Sequence, residues 1–138
     1  MEKNIISIMK PHLKPMFLLI CEKMGMEGTD APKVVFHNEI QKGSDPLLVK
    51  TGYFDPNTDK IHLFVFDNSQ QRAVKDIMRS FAHECIHYLQ QKRGDIENSG
   101  YFSDKITEDE QLINLEKEAY LKGNIIFRTY TENYGKKK

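Results

Sequence analysis

Residues 81–90 read FAHECIHYLQ, with His83 and His87 four positions apart and Glu84 directly after the first histidine. Two imidazoles at this spacing can share one ion at roughly 2 Å only on a helix, where positions i and i+4 stack on one face. The surrounding apolar residues supply that helix. Ala73, Val74, Ile77, Met78, Phe81, Ala82, Cys85, Ile86 and Leu89 recur at helical spacing through to Gln91, and Gly94 stands just past the end. His83 and His87 project from the flank of this stripe, and Glu84 lies further round. That border between core and solvent suits an ion anchored by protein yet open to water. A pair of merely solvated histidines would stand well clear of the stripe.

Outward from this helix the periodicity changes. Upstream, KVVFHNEI (33–40), LLVKTGYF (47–54) and KIHLFVFD (60–67) read as strands, the last two joined as a hairpin through DPNTD and its Pro56. Asp67, Asn68 and Ser69 are candidate caps for the histidine helix. The N-terminal segment has helical spacing at Ile5, Ile6, Met9, Leu13, Met16, Phe17, Ile20 and Met24, with Pro11 expected to divide it into a short helix and a longer one. Downstream of a loop from Gly94 to Ile106, Thr107 and Glu110 have the capping-box form and open a helix expected to reach about Tyr130. The order helix, three strands, helix, helix predicts a single α+β domain over residues 1–138, with a small, mostly antiparallel three-stranded sheet packed on helices.

Charge and cysteine content narrow the function classes. Twenty basic residues balance twenty acidic ones among 138, so no global field draws nucleic acid or an anionic membrane. The terminal lysines 136–138 read as solvated. Cys21 and Cys85 are too few for a disulfide framework, and reduced thiols in a cytoplasmic protein are the simpler expectation. The apolar run MFLLIC (16–21) is too short for a signal segment or a membrane span, and Ile20 stands where a lipoprotein signal needs a small residue.

A catalytic zinc takes three protein ligands and leaves a position for water. No histidine follows His87, and His12, His37 and His62 are expected to be solvated or satisfied locally, so the third ligand should be a downstream carboxylate. The candidates are Asp95, Glu97, Asp104, Glu108, Asp109, Glu110, Glu116, Glu118 and Glu132. Glu108, Asp109 and Glu110 are accounted for by the start of the last helix. Setting Leu112 at zero and turning about 100° per residue, Glu116 falls near 40°, between Ala119 and Phe127 on the apolar face, and Glu118 near −120°, outside it. A carboxylate centred on a buried face needs a cationic partner, and zinc would be one; a buried Arg or Lys is the plain alternative. Ala119 and Gly123 would let this helix approach the histidine helix closely.

The pairing of HECIH with EKEA (Glu116 to Ala119) on a later helix resembles the gluzincin metallopeptidases, and the chain is similar to the small minigluzincins and the ImmA/IrrE-type peptidases. The resemblance spans residues 33 to 127 and implies a small zincin-like domain holding one zinc ion per chain through His83, His87 and Glu116. It implies a soluble peptidase in which Glu84 takes the proton of a zinc-activated water and passes it to the leaving amine. It also implies a peptide or protein substrate paired with an edge strand, expected here in KIHLFVF. Tyr120 occupies the place of an Asp that supports a ligand histidine in many gluzincins, so that support must come from elsewhere. Tyr101, Tyr120, Tyr130 and His37 are the candidates for stabilising the oxyanion. Cys85 and Ile86 should face the core. Two other classes carry similar motifs: a zinc-binding regulatory module with little general proteolysis, and a DNA-associated protease of the SprT type, which the neutral charge and missing downstream histidine disfavour.

Overall fold

A computed structural model of the chain describes residues 5–41, 51–67, 70–94 and 110–136. The architecture is α+β, three helices and a three-stranded sheet in the order α1 (Ile5–Met24), β1 (Lys33–His37), β2 (Gly52–Asp55), β3 (Lys60–Phe64), α2 (Val74–Arg93), α3 (Glu110–Lys136). The Asn68 and Ser69 caps, Thr107 of the capping box and the LLVK half of the second expected strand lie outside the described residues. Among the described residues, no helix is long and apolar enough to cross a membrane.

Helix α1 runs unbroken through Pro11 and Pro15, so Pro11 does not divide it. A proline frees the carbonyl four residues before it. Here those carbonyls belong to Ser7 and Pro11, both at exposed positions where water can take the missing donor's place. The opposite face buries Ile5, Met9, Met16, Phe17, Ile20 and Cys21, and this burial holds the helix together.

The sheet has the order β1-β3-β2, with β3 parallel to β1 and antiparallel to β2. It is therefore mixed rather than mostly antiparallel. The short turn between β2 and β3 forces a hairpin: Asp55 accepts from the Asn57 N–H and the Thr58 hydroxyl, at 2.9 and 3.0 Å. Residues 38–51 impose no such neighbour relation, and β1 docks on the far side of β3. As a result KIHLF forms the central strand, and the expectation that it is the exposed edge is corrected. The edge near α2 belongs to β2. Strand alternation turns Phe54, Ile61 and Leu63 inward, each at most 1% exposed, while Tyr53 and His62 stack on the other face.

Helix α2 begins at Val74, with Ala73 as N-cap and no side-chain cap. Asp67 caps a preceding turn instead, accepting from the Gln70 N–H at 2.7 Å. Asp76 in the first turn and Lys92 and Arg93 in the last suit the helix dipole. Gly94 closes the helix at φ 95°, in the left-handed region that a glycine adopts without steric cost. The inner faces of α1, α2, α3 and the sheet meet in one apolar core that includes Phe81, Ala82, Cys85, Ile86 and Leu89 of the histidine helix.

Arg72, at the approach to α2, fastens this helix to the hairpin. Its guanidinium donates to the carbonyls of Thr51 (2.9 Å), Phe64 (2.7 Å) and Asp76 (3.2 Å), and to the Ser80 hydroxyl (3.0 Å). The fork geometry reaches all four acceptors at once. Replacing Arg72 with Leu should lower stability to urea by about 2–4 kcal/mol, and Lys should restore only part of that. A fully stable Leu variant would contradict this role.

Candidate metal centre

Helix α2 carries the histidines on the side that faces α3, and α3 packs closely against it. A Cβ added at Gly123 would stand 3.4 Å from the His83 Cα, and Ala119 is fully buried. These small side chains let the two helices close on each other as their spacing predicts. The approach carries Glu116 onto the histidine pair. Its Oε1 lies 3.2 Å from Nε2 of His83 and 2.8 Å from Nε2 of His87. One ligand atom from each residue falls within 4.8 Å of the other two. A tetrahedral ion with bonds of about 2.0–2.2 Å separates its donors by roughly 3.3–3.6 Å, so small side-chain rotations suffice to hold one. Two imidazoles and a carboxylate suit zinc among the divalent ions.

The cluster lies in a cleft of about 660 Å³. Thr51, Gly52 and Tyr53 of the β2 edge form one wall, α2 the floor, and Tyr120 and Asn124 of α3 the other wall. Glu84 lines the same cleft and is only 7% exposed, further inside than the helical wheel suggests. Burial pushes its carboxyl above the usual carboxylate range, against the opposing pull of His87 and His83 and a hydrogen bond from the Phe54 backbone N–H.

Electrostatics show what the three converging groups require. Glu116 is partly buried, which would raise its pKa, but hydrogen bonds from His83 and His87 outweigh this and hold it at about 2. Burial lowers the His87 pKa, and the Glu116 and Glu84 carboxylates more than compensate, leaving it above the ordinary imidazole value. A proton on the imidazoles or a metal ion can satisfy this arrangement. Without a metal, each Nε2 must turn a proton toward the carboxylate, in the neutral Nε2–H tautomer or in the imidazolium.

The other candidates are engaged elsewhere. Glu118 pairs with Arg93 at 2.7 Å and Lys122 at 2.8 Å. His12 meets the Tyr130 hydroxyl at 2.7 Å, and His37 meets His62 at 2.9 Å, so among the described residues none of these histidines joins the cluster. Tyr120 lies over His83, ring centroids 4.4 Å apart, and is the one described oxyanion candidate that lines the cleft. Tyr101, Asp95, Glu97, Asp104, Glu108 and Asp109 lie outside the described residues. Cys85 is buried, and burial pushes its thiol well up, away from any nucleophilic role. Sequence reasoning missed Gln90, which meets Nδ1 of His87 at 2.9 Å. The signal was there: a polar residue three positions past His87, at the core end of the apolar stripe. Comparison with known protein families, with curated proteins and with solved structures finds no match for this chain.

These shifts set a pH dependence. Because the His87 value is raised, its protonation stabilises the metal-free fold below the unfolded value of about 6.5, and that contribution fades as pH rises through the folded value. Glu116, held low, contributes above about 4.3 and loses its effect as pH falls toward 2. A metal ion held by these residues would compete with the imidazole proton. Stabilisation by added zinc, about 2.7 kcal/mol at a hundredfold excess over Kd, should therefore raise the melting temperature more at pH 8 than at pH 6. Glu116→Ala should abolish the rise and Glu118→Ala should largely keep it; the reverse pattern would reassign the third ligand.

Proposed function

We propose that this protein is a small zinc-dependent metallopeptidase of the gluzincin type. The observation that carries the reading is the single Glu116 oxygen within 3.2 Å of both His83 and His87 Nε2 atoms, beside a buried glutamate in an open cleft. His83, His87 and Glu116 would hold the ion, which when bound supplies Lewis acidity toward water and toward a substrate carbonyl. A metal site alone does not make a peptidase, but the neighbouring groups fit one.

Glu84 is the general base. Its carboxylate takes a proton from the attacking water as the oxygen joins the scissile carbonyl carbon. It then delivers that proton to the amine nitrogen as the C–N bond breaks. A carboxyl pushed up by burial suits the second half of this cycle, when it must act as an acid. Strand β2 is bonded to β3 on one side and borders the cleft at Gly52 and Tyr53, so an extended peptide can add there as a further strand, beyond the Phe54 N–H that Glu84 already takes. Tyr120, exposed beside His83 on the cleft wall, is our candidate donor to the carbonyl oxygen.

Glu84→Gln keeps the size and a hydrogen-bonding oxygen but removes the base. It should bind zinc as the wild type does and hydrolyse peptides at least about a hundredfold more slowly. The measurement is cleavage of a broad peptide library with zinc content determined in parallel. If wild type and variant both load zinc and leave the library equally intact, the protein is a metal-binding module without peptidase activity.

A further inference from the structure

We infer that Gln90 is a positioning residue that orients the His87 ring through Nδ1, so that Nε2 is presented to the ion, and that Glu118 holds Gln90 in the orientation this requires. Gln90 is fully buried on α2, one turn after His87. Its Nε2 lies 3.0 Å from the Leu115 carbonyl and 2.8 Å from Glu118 Oε1. Both partners are acceptors, so the amide nitrogen must face them and the amide oxygen must face the other way. That oxygen meets Nδ1 of His87 at 2.9 Å. An acceptor at this distance takes a proton from Nδ1, while Nε2 faces a second acceptor, Glu116 Oε1, at 2.8 Å. Once a metal ion takes the place of the Nε2 proton, the one proton left on the ring is the one Gln90 accepts, and Nε2 stays aimed at the cation site.

The orientation of one candidate ligand on α2 is thus decided by two groups on α3. Glu118 can play this part because it is itself held in place. Arg93 and Lys122 pair with it, at 2.7 and 2.8 Å. Glu116 and Glu118 therefore divide two tasks between them: the first meets the imidazoles at Nε2, and the second acts from the Nδ1 side. A merely structural Gln90, tying α2 to α3 through Leu115, would make the same bond to the carbonyl. Its replacement would then leave the metal affinity of a folded protein unaffected.

The inference deepens the proposed zinc site but is tested separately from it. In wild-type protein loaded with zinc, nitrogen-15 NMR should show His87 bound through Nε2 with its proton kept on Nδ1; binding through Nδ1 overturns the inference. Gln90→Met removes the acceptor at similar volume. In competition with a chromophoric chelator it should bind zinc about 10- to 100-fold more weakly than wild type, with circular dichroism unchanged. Glu118→Gln, which keeps an acceptor for Gln90, should lose less than about threefold. A folded Gln90→Met variant with wild-type zinc affinity also overturns the inference. If that variant does not fold, the nitrogen that binds zinc in the wild type decides. Failure of the wild type to take up zinc would sink the metallopeptidase reading and this inference together, whereas uptake through Nδ1, or uptake undiminished in the variant, overturns this inference alone.

Discussion

The close approach of α3 to α2 governs everything at the site. Gly123 and Ala119 present almost no side chain to the turn of α2 that carries His83, and Glu116 is thereby brought within hydrogen-bonding reach of both imidazoles. A helix surface bearing Leu at either position would hold the backbones several ångströms further apart. The carboxylate would then be left in a half-buried setting with nothing positive to meet it. Small residues on one helix and a charged one in line with them form a single device, and neither part makes sense without the other.

The hairpin and Arg72 set the second boundary of the cleft. Arg72 spends its guanidinium on three carbonyls and a hydroxyl, so it acts as a fastener between strand ends and helix. Through it, the β2 edge is held in register with the floor of the cleft, where Glu84 receives the Phe54 N–H. The geometry of Glu84, the proposed general base, is thus tied to the strand on which a peptide would lie.

Much of this was legible in the chain. The helical stripe from Ala73 to Leu89, the position of Glu116 between Ala119 and Phe127, and the permissive role of Gly123 follow from a 3.6-residue period and side-chain size. The local fates of His12, His37 and His62 agreed with expectation as well. What was not legible depended on solvent or on long-range pairing. Pro11 reads as a break because propensity cannot tell that the freed carbonyl faces water. The position of β1 beside β3, and hence which strand is central, cannot be read from a connection as long as residues 38–51. Gln90 and Arg72 were hidden because their partners lie on other elements: Leu115 and Glu118 for one, Thr51 and Phe64 for the other.

The apolar core has a consequence for the metal. Residues from all three helices and the sheet close it without help from His83 or Glu116, and the small-residue seam between α2 and α3 belongs to that packing. The cation would arrive as a guest in a finished room. Chelation should empty the cleft while leaving the architecture standing, in contrast to small domains that collapse once their ion is withdrawn.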